Sequence, residues 1–342
     1  MLKIFLFSSL LFLHQYAFTQ TAEIKNLIFE GGGVRGIAYC GVIKELEKAN
    51  KISTIENVGG TSAGAITALL LSLGYNSAEI ENIIYSTRIK SFNDGRLFFV
   101  GGMLRMTKSY GWYRGEKFSK WLSEIIKKKT GNSEITFSEM GKLGFKDLYI
   151  TGTCLNKQSL IIFSKNNYPN MKIKDAVRIS MSIPLYFTAV FIDSSGTIFK
   201  KHRKDKTLDV VVDGGIIGNY PIFMFDSVFK DSTNKIIRIP NLQTLGIRLD
   251  SEEQILVDKK GNNILASMEV TNLNEYLTSF YNLIIEKLNR VELSPDDWKR
   301  TISVSTVGIS PRIKRLPKIQ KDSLVNSGTK AALEYLNSGR TK

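Results

Sequence analysis

Histidine and cysteine are scarce in this chain of 342 residues, which contains two of each. His14 lies in an apolar N-terminal stretch, and His202 lies in a run of charged residues typical of a solvated loop. Because a Ser-His-Asp triad needs a histidine beside its nucleophile, we do not expect one here. The sequence has no C-x-x-C or H-x-x-x-H spacing, so it predicts no metal site and no cofactor. We expect Cys40 and Cys154 to be buried free thiols, with a disulfide as the alternative.

A long apolar run is also missing, although the first 20 residues have the pattern of a secretory leader. Lys3 precedes an apolar core from Ile4 to Leu13, and a more polar stretch leads to Gln20. A helix that crosses a bilayer needs about 20 apolar residues, roughly twice the length of this core. We therefore expect cleavage near Thr19 or Gln20 and export to the periplasm or the medium. A retained N-terminal anchor is the alternative.

Linkers rich in proline or serine, repeats and low-complexity tracts are absent as well. Residues 21–342 are therefore predicted to form one domain. Short apolar runs alternate with helical patterns, which predicts an α/β fold with a mainly parallel central sheet. We divide the domain into a core over about 27–221, an inserted cover over about 88–130 and a C-terminal extension over about 243–340.

Two glycine-rich turns each follow a short apolar run and precede a helical pattern. The first reads FEGGGVRG over residues 29–36, and the second reads GGTSAG over residues 59–64. The second matches the G-x-S-x-G elbow, in which a serine on a sharp strand-to-helix turn needs glycines on both sides to avoid collisions. Ser62 is therefore the predicted nucleophile, and Gly60 and Gly64 are the glycines that give it clearance.

The first turn offers backbone amides to the negative charge that develops on a carbonyl oxygen during acyl transfer. Gly31, Gly32 and Gly33 lack a Cβ, so their N–H groups can approach that oxygen, and a helix starting near Gly36 adds its positive dipole end. The alternative is a nucleotide-phosphate loop, but G-x-x-x-x-G-K-[ST] is absent and G-x-G-x-x-G fits only loosely. We interpret Gly31 to Gly33 as candidates for an oxyanion hole.

A carboxylate is the remaining candidate for the base that accepts the serine proton. Asp213 ends the apolar strand Val210–Val212, and Gly214 and Gly215 after it permit close approach. An aspartate with an ordinary pKa of about 3.9 is a weak base, so Asp213 needs a partly desolvated pocket or a proton transfer coupled to attack. Taken alone, the Asp-Gly pair is more typical of a plain turn than of a catalytic base.

In their order along the chain, these stretches resemble the motifs of the patatin-like phospholipases. GGGVRG at 31–36, GTSAG at 60–64 and DGG at 213–215 carry the resemblance. AVRISMSIP at 176–184 and NYP at 219–221 are similar to two further blocks of that family. The resemblance implies a sheet sandwiched by helices, and calcium-independent hydrolysis of lipid acyl esters by a Ser-Asp dyad.

The resemblance also implies roles for individual residues. Ser62 would be the nucleophile, Asp213 its base, and Gly31 to Gly33 the oxyanion hole. Arg35 would fix the oxyanion loop or attract an anionic head group. Ser180 and Ser182 would either position the substrate or pack in the core.

The net charge of +15 is large. Positive residues cluster at 127–129, 200–206 and 312–321, and such a surface favours anionic partners. We expect peripheral contact with an anionic membrane, whereas no motif predicts binding to nucleic acid. Solvated faces that only keep the protein soluble are the alternative.

Two further segments are rich in apolar residues. The stretch from Leu97 to Tyr113 mixes glycine with methionine and aromatic residues, so it could cover an acyl-chain groove, enter a lipid interface or pack in the core. An amphipathic helix is predicted over about Asn274–Arg290. The residues expected on its apolar face are Leu277, Phe280, Tyr281, Ile284, Ile285 and Leu288.

Together these features predict an exported lipid acyl hydrolase of phospholipase A or lysophospholipase type, acting on a phospholipid or another lipid ester. A neutral-lipid lipase or general esterase with the same dyad is one alternative. A membrane-binding effector with an inactive site is the other.

Overall fold

The computed structural model describes residues 23–95, 98–199, 203, 205–260, 264–290, 293–311 and 315–338. The predicted leader at 1–20 and His202 therefore lie outside the described residues, as do parts of the basic runs at 200–206 and 312–321.

Thirteen strands and twelve α-helices are found in the described part of the chain. The strands are β1 (Asn26–Phe29), β2 (Asn57–Gly60), β3 (Gly111–Tyr113), β4 (Asp147–Cys154), β5 (Ser159–Phe163), β6 (Leu185–Phe187), β7 (Val190–Ile192), β8 (Ile198–Phe199), β9 (Asp209–Asp213), β10 (Ser227–Lys230), β11 (Ile236–Ile239), β12 (Thr244–Asp250) and β13 (Thr301–Ser305). The helices are α1 (Ala38–Lys48), α2 (Ala63–Ser72), α3 (Ser77–Ser86), α4 (Phe98–Ser109), α5 (Glu116–Thr130), α6 (Phe137–Lys142), α7 (Ile173–Ser180), α8 (Gly215–Gly218), α9 (Glu252–Lys259), α10 (Leu273–Arg290), α11 (Pro295–Lys299) and α12 (Lys318–Asn337).

A nine-stranded sheet forms the centre of the fold. Its order is β13-β12-β1-β2-β4-β9-β7-β8, and β5 also pairs with β4. Neighbouring strands from β13 to β4 run parallel, whereas β5, β9, β7 and β8 join by antiparallel pairing. This mixed, mostly parallel sheet flanked by helices confirms the predicted α/β fold class.

The site is positioned by the parallel strands at the middle of this sheet. β1 leads into the first glycine-rich turn, and β2 beside it leads into the second. The carboxyl ends of adjacent parallel strands meet at one edge of a sheet, where ligands usually bind in such folds. α2 is apolar on almost every face and is buried accordingly, so it anchors the second turn in the core.

Helices α1 and α12 cross closely enough for backbone contact. A Cβ added at Gly41 would lie 2.0 Å from the carbonyl oxygen of Val325, and one added at Gly328 would lie 2.0 Å from that of Ala38. Only glycine allows such an approach. The crossing attaches the last helix to the segment that follows the first glycine-rich turn.

The structure differs from the sequence-based expectation in several details. The sequence pattern predicts one strand over Phe187–Ile192, but the structure has two strands in this region, because β6 pairs with β3 while β7 pairs with β9 in the central sheet. The helix expected from Gly36 begins as a 3-10 turn over Gly33–Ile37 and becomes α-helical at Ala38. The stretch from Leu97 to Tyr113 contains α4 and β3, and Val100, Met103 and Leu104 on α4 are exposed.

The amphipathic helix expected at Asn274–Arg290 exists as α10, but its apolar face is largely not buried. Phe280, Ile284 and Leu288 are exposed, whereas Ile285 and Asn289 are buried. The side chains at 277 and 281 lie outside the described residues. Cys40 and Cys154 are both buried and free, as expected.

None of the described helices has both the length and the apolar character that a membrane crossing requires.

Candidate active site

The turn between β2 and α2 has the backbone of a nucleophile elbow. Ser62 has φ of 53° and ψ of −118°, a conformation that is strained for a residue with a side chain. A Cβ at Gly60 would lie 2.6 Å from the carbonyl group of Gly64, and a Cβ at Gly64 would lie 2.3 Å from the carbonyl oxygen of Phe29. The two glycines therefore make this tight turn sterically feasible.

Asp213 lies at the end of β9, and the structure brings it to the elbow. Its carboxylate is buried, and its Oδ1 accepts a hydrogen bond from the Gly215 N–H at 2.7 Å. The elbow residue Thr61 is tied to the segment after Asp213, since its hydroxyl donates to the carbonyl oxygen of Gly218 at 2.7 Å. This bond fixes the turn after β2 against the turn after β9, although the two lie far apart in sequence.

The electrostatic environment changes the basicity of Asp213. Burial raises the pKa of this carboxyl from its ordinary 3.8 to about 7, while hydrogen bonds from the Gly215 N–H and the Ser62 hydroxyl favour the charged form and limit the rise. The Ser62 hydroxyl also contacts Met181 Sδ, at 3.4 Å. A thioether is a weak acceptor, and catalytic hydrogen bonds are often loose before substrate binds. The Ser62 hydroxyl thus has two acceptors nearby, Met181 Sδ and the Asp213 carboxylate.

The first glycine-rich turn lies directly against Ser62. A Cβ at Gly31 would be 3.4 Å from Ser62 Cβ and 2.3 Å from Asn219 Oδ1. The Gly31 N–H already donates to the Asn219 carbonyl oxygen at 3.0 Å, so it is not free to bind an oxyanion. Within the described residues, the N–H groups of Gly32 and Gly33 have no such acceptor. This geometry narrows the predicted oxyanion hole from three amides to two.

Close backbone contacts hold the candidate oxyanion loop, residues 31–36. Gly33 has φ of +55°, and a Cβ there would lie 2.4 Å from the carbonyl oxygen of Pro311. Arg35 donates from Nε to the Gly32 carbonyl oxygen at 3.2 Å, so its side chain braces the loop. A Cβ at Gly36 would lie 3.0 Å from Ala63 Cβ, which shows that the two turns touch.

The glycines after Asp213 also allow close approach. A Cβ at Gly214 would lie 2.2 Å from Thr151 Oγ1. A Cβ at Gly215 would lie 3.0 Å from Asn219 Oδ1 and 3.1 Å from Asp213 Oδ1. Each predicted supporting glycine therefore lies where a side chain would crowd the site.

The segment at the end of α7 contacts both members of the Ser-Asp pair. The Ser62 N–H donates to Ser180 Oγ at 2.9 Å, and the Asp213 N–H donates to the Ser182 carbonyl oxygen at 3.0 Å. The Ser182 hydroxyl in turn accepts from buried Arg178. Ser180 and Ser182 thus hold the backbones of the two candidate catalytic residues, a role that the sequence did not specify.

Asn219 is a further residue whose role was missed. Its Nδ2 donates to Glu30 Oε1 at 3.1 Å and to the Gly31 carbonyl oxygen at 3.2 Å, while its own N–H donates to Asn289 Oδ1 at 2.5 Å. These bonds join the oxyanion loop, the segment after Asp213 and helix α10. The NYP block was the only signal in the sequence that marked it.

A buried charge network lies behind the oxyanion loop. Arg248 is fully buried and contacts Asp250 at 3.0 Å, Glu286 at 2.5 Å and Glu30 at 3.8 Å. Burial raises the pKa of Glu30 to about 7, although the charge of Arg248 acts against the rise. Because buried charges need partners, this network constrains how β1, β12 and α10 pack.

An apolar cavity of about 580 Å³ opens beside the elbow. Gly33, Ala63, Met181 and Trp121 are among the residues that line it, and Met181 Sδ lies 3.4 Å from Ser62 Oγ. The described residues contain no group of three or more His, Cys, Asp or Glu side chains arranged to hold a metal ion.

The family model described as patatin-like phospholipase matches residues 27–226, which include both turns, α7 and Asp213. The chain belongs to the patatin-like phospholipase family. It is 32% identical over 219 residues to the uncharacterized protein R571 of Acanthamoeba polyphaga mimivirus, covering 64% of this chain and 65% of that protein. It is 28% identical over 200 residues to the probable lipid hydrolase 463L of Invertebrate iridescent virus 6, covering 58% of this chain and 62% of that protein.

The fold is similar to that of VipD from Legionella pneumophila, with a TM-score of 0.57 at 17% identity, over 93% of this chain and 67% of that one. The chain thus spans about two thirds of the length of these relatives. Membership of the patatin-like family supports lipid hydrolase activity in general.

Replacement of Ser180 tests its role as a positioning residue. Ser180→Ala leaves the Ser62 N–H without its acceptor, so we expect kcat on an ester substrate to fall about tenfold with little change in KM, as for loss of one buried hydrogen bond. Ser164→Ala is the matched control, because the Ser164 hydroxyl is buried but has no partner among the described residues. Equal kinetics for the two variants would contradict the positioning role.

The raised pKa of Asp213 predicts opposite pH effects on activity and stability. Since the carboxylate must be ionised to accept a proton, kcat/KM should rise as pH increases through about 7. Below the ordinary pKa of 3.8 the carboxyl is protonated in both the folded and the unfolded state, so its burial does not destabilise the fold by charge. Because the pKa is raised in the folded state, the free energy of unfolding decreases as the pH rises from there through about 7. Asp213→Asn should therefore have a higher Tm than the wild type at pH 8, with a smaller difference near pH 4. Thermal unfolding across this range checks the prediction, and a pH-independent difference would rule it out.

Proposed function

We propose that this chain hydrolyses fatty-acyl esters of phospholipids by means of a Ser62–Asp213 dyad and an acyl-serine intermediate. The observation that carries the proposal is the strained Ser62 beside a buried carboxylate whose pKa is raised to about 7. Strain at a serine on a strand-to-helix turn is typical of a nucleophile. A carboxyl that titrates near neutral pH is suited to proton transfer.

The first half-reaction uses both residues. Ser62 Oγ attacks the acyl carbonyl carbon while its proton passes to the Asp213 carboxylate. The N–H groups of Gly32 and Gly33 stabilise the negative charge on the carbonyl oxygen. When the tetrahedral intermediate collapses, protonated Asp213 gives the proton to the leaving alkoxide oxygen, which departs as the alcohol.

The second half-reaction reverses the roles with water. Asp213 accepts a proton as water attacks the acyl-serine, and the new tetrahedral intermediate is held by the same amides. Its collapse releases the fatty acid, and Asp213 returns the proton to Ser62 Oγ. A pKa of about 7 suits this cycle because the same carboxyl must act as base and then as acid in each half.

The apolar cavity supports a lipid as substrate. Its volume of about 580 Å³ falls within the range of ~300–1,000 Å³ that ligand pockets commonly have. Ile37, Ile66 and Phe92 line it together with Trp121. An acyl chain bound there would exchange water for apolar side chains, which favours binding in proportion to the area buried.

Substitution of the two dyad residues tests the proposed chemistry. Ser62→Ala and Asp213→Asn should each lower release of fatty acid from phospholipid by at least about 10³-fold, because each removes a group that takes part in bond making or proton transfer. Ser53→Ala and Asp296→Asn, at exposed positions, are matched controls that should retain activity. The measurement is product analysis by mass spectrometry on phospholipid, triacylglycerol and a short ester.

The outcomes distinguish the rival functions. Substantial turnover by either dyad variant would refute the dyad. Turnover of triacylglycerol alone would indicate a neutral-lipid lipase. If the wild type hydrolyses no ester and its Ser62 does not react with a fluorophosphonate, the enzyme proposal fails and an inactive effector is favoured.

Export is part of the proposal, and it rests on the pattern of residues 1–20. We expect the full-length chain, expressed in a Gram-negative host, to be recovered outside the cytoplasm with a new N-terminus near Thr19 or Gln20. N-terminal sequencing of the purified protein measures this. A Leu6→Arg variant, which interrupts the apolar core, should stay in the cytoplasm with its leader attached. Cytoplasmic retention of the uncleaved wild type would contradict export.

A further inference from the structure

The charged side chains in the wall of the apolar cavity are all positive. Five basic residues line it, and no Asp or Glu occurs among the described residues of its wall. The five are Arg88, Lys90, Arg315, Lys318 and Lys321. They come from two segments that lie far apart in sequence, over residues 88–90 and 315–321.

Four of these cations are free to meet a ligand. Lys321 is engaged, because its Nζ bonds to the Tyr85 carbonyl oxygen and lies 4.5 Å from the centre of the Tyr85 ring. The other four are exposed and form no ion pair with a described carboxylate. We call Arg88, Lys90, Arg315 and Lys318 the basic mouth.

The wall of the same cavity also includes residues beside the candidate reacting atoms. Met181, whose Sδ is 3.4 Å from Ser62 Oγ, and Gly33, whose N–H is an oxyanion-hole candidate, both belong to its wall. A ligand that fills the cavity therefore contacts its apolar lining, the surroundings of Ser62 and the basic mouth. An anionic group at the mouth would complete such a ligand.

We propose that the basic mouth selects phospholipids and lysophospholipids whose head group has a net negative charge; this inference rests on the proposed function. A phosphate bearing a net charge gains charge-assisted contacts with guanidinium and ammonium groups. A zwitterionic head group brings a cation of its own, which the four positive side chains repel. A neutral glycerol head group gains no comparable contact.

The general positive charge of the protein provides the competing explanation, because any basic surface binds anionic membranes more strongly. The two explanations predict different effects for lysines that line the cavity and lysines that lie elsewhere on the surface. Lys44 on α1 and Lys127 on α5 are exposed, form no ion pair with a described carboxylate and lie outside the cavity wall. Removing their charges changes the net charge by the same amount as removing those of Lys90 and Lys318.

Hydrolysis in mixed micelles tests the selection directly. Phosphatidylglycerol and phosphatidylcholine with identical acyl chains are presented at equal mole fraction in a non-ionic detergent, and the ratio of the two rates is measured for each variant. Lys90→Gln/Lys318→Gln should lower the ratio of anionic to zwitterionic turnover roughly fivefold, as expected for the loss of two exposed ion pairs. Lys44→Gln/Lys127→Gln should keep the ratio of the wild type.

Binding provides a second readout that does not need catalysis. Calorimetry with the Ser62→Ala variant compares dodecyl phosphate, dodecylphosphocholine and inorganic phosphate. Dodecyl phosphate should bind several-fold more tightly than dodecylphosphocholine, and the added Lys90→Gln/Lys318→Gln substitutions should remove the difference. Inorganic phosphate should bind far more weakly than dodecyl phosphate, because it has no chain to fill the cavity.

The results separate this inference from the proposed function. Ser62-dependent hydrolysis with an unchanged ratio in Lys90→Gln/Lys318→Gln, or an equal loss in Lys44→Gln/Lys127→Gln, overturns the inference and leaves the hydrolase intact. A wild type that hydrolyses no lipid but prefers dodecyl phosphate in a mouth-dependent way overturns the hydrolase and supports the anionic site. Equal affinity for the two dodecyl ligands, or for inorganic and dodecyl phosphate, also overturns the inference.

Discussion

Burial of the Asp213 carboxylate without a counter-ion is the constraint on which the active site depends. Among the described residues, no Arg or Lys forms an ion pair with it, and its stabilising contacts come from the Gly215 N–H and the Ser62 hydroxyl. A cation nearby would lower the pKa of the carboxyl and make it a poorer base. Desolvation does the opposite, and in the proposed mechanism the more basic carboxylate takes the role of general base that a histidine has in a triad.

Burial raises the pKa of two carboxyls in this region, Glu30 and Asp213, to about 7, but the two have different hydrogen-bond partners. Glu30 accepts a hydrogen bond at each oxygen, from Asn219 and from the Leu249 N–H, and Arg248 lies close by. Its oxygens are occupied in holding the oxyanion loop. At Asp213 only Oδ1 accepts an N–H from the described residues, so the other oxygen remains available to the serine. The candidate base Asp213 thus differs from Glu30 in its position and in having an oxygen available as a hydrogen-bond acceptor, more than in its pKa.

Those parts of the candidate site in which a local steric requirement determines the residue type could be predicted from the sequence. Gly60 and Gly64 are required by a turn only a few residues long, so the motif alone located Ser62. The unavailability of the Gly31 amide could not be foreseen, because its acceptor is Asn219, which lies 188 residues further along the chain. Helix α10 illustrates the same limit: its period predicted a helix, yet its buried side is set by Asn289, which packs against the segment after Asp213.

Two of the four residues of the basic mouth lie inside the region that the family model matches, and two lie outside it. Arg88 and Lys90 lie within residues 27–226, whereas Arg315 and Lys318 lie beyond them, next to and at the start of α12. Helix α12 is held against α1 by the glycine crossing, and α1 follows the oxyanion loop directly. The C-terminal segment can therefore contribute charge to the cavity opening without touching the dyad. In a relative that shares only the family region, contacts from positions 88 and 90 could remain, whereas those from Arg315 and Lys318 would be absent. The proposed dyad therefore depends on the family region alone, and the proposed head-group selectivity depends on that region together with the C-terminal segment.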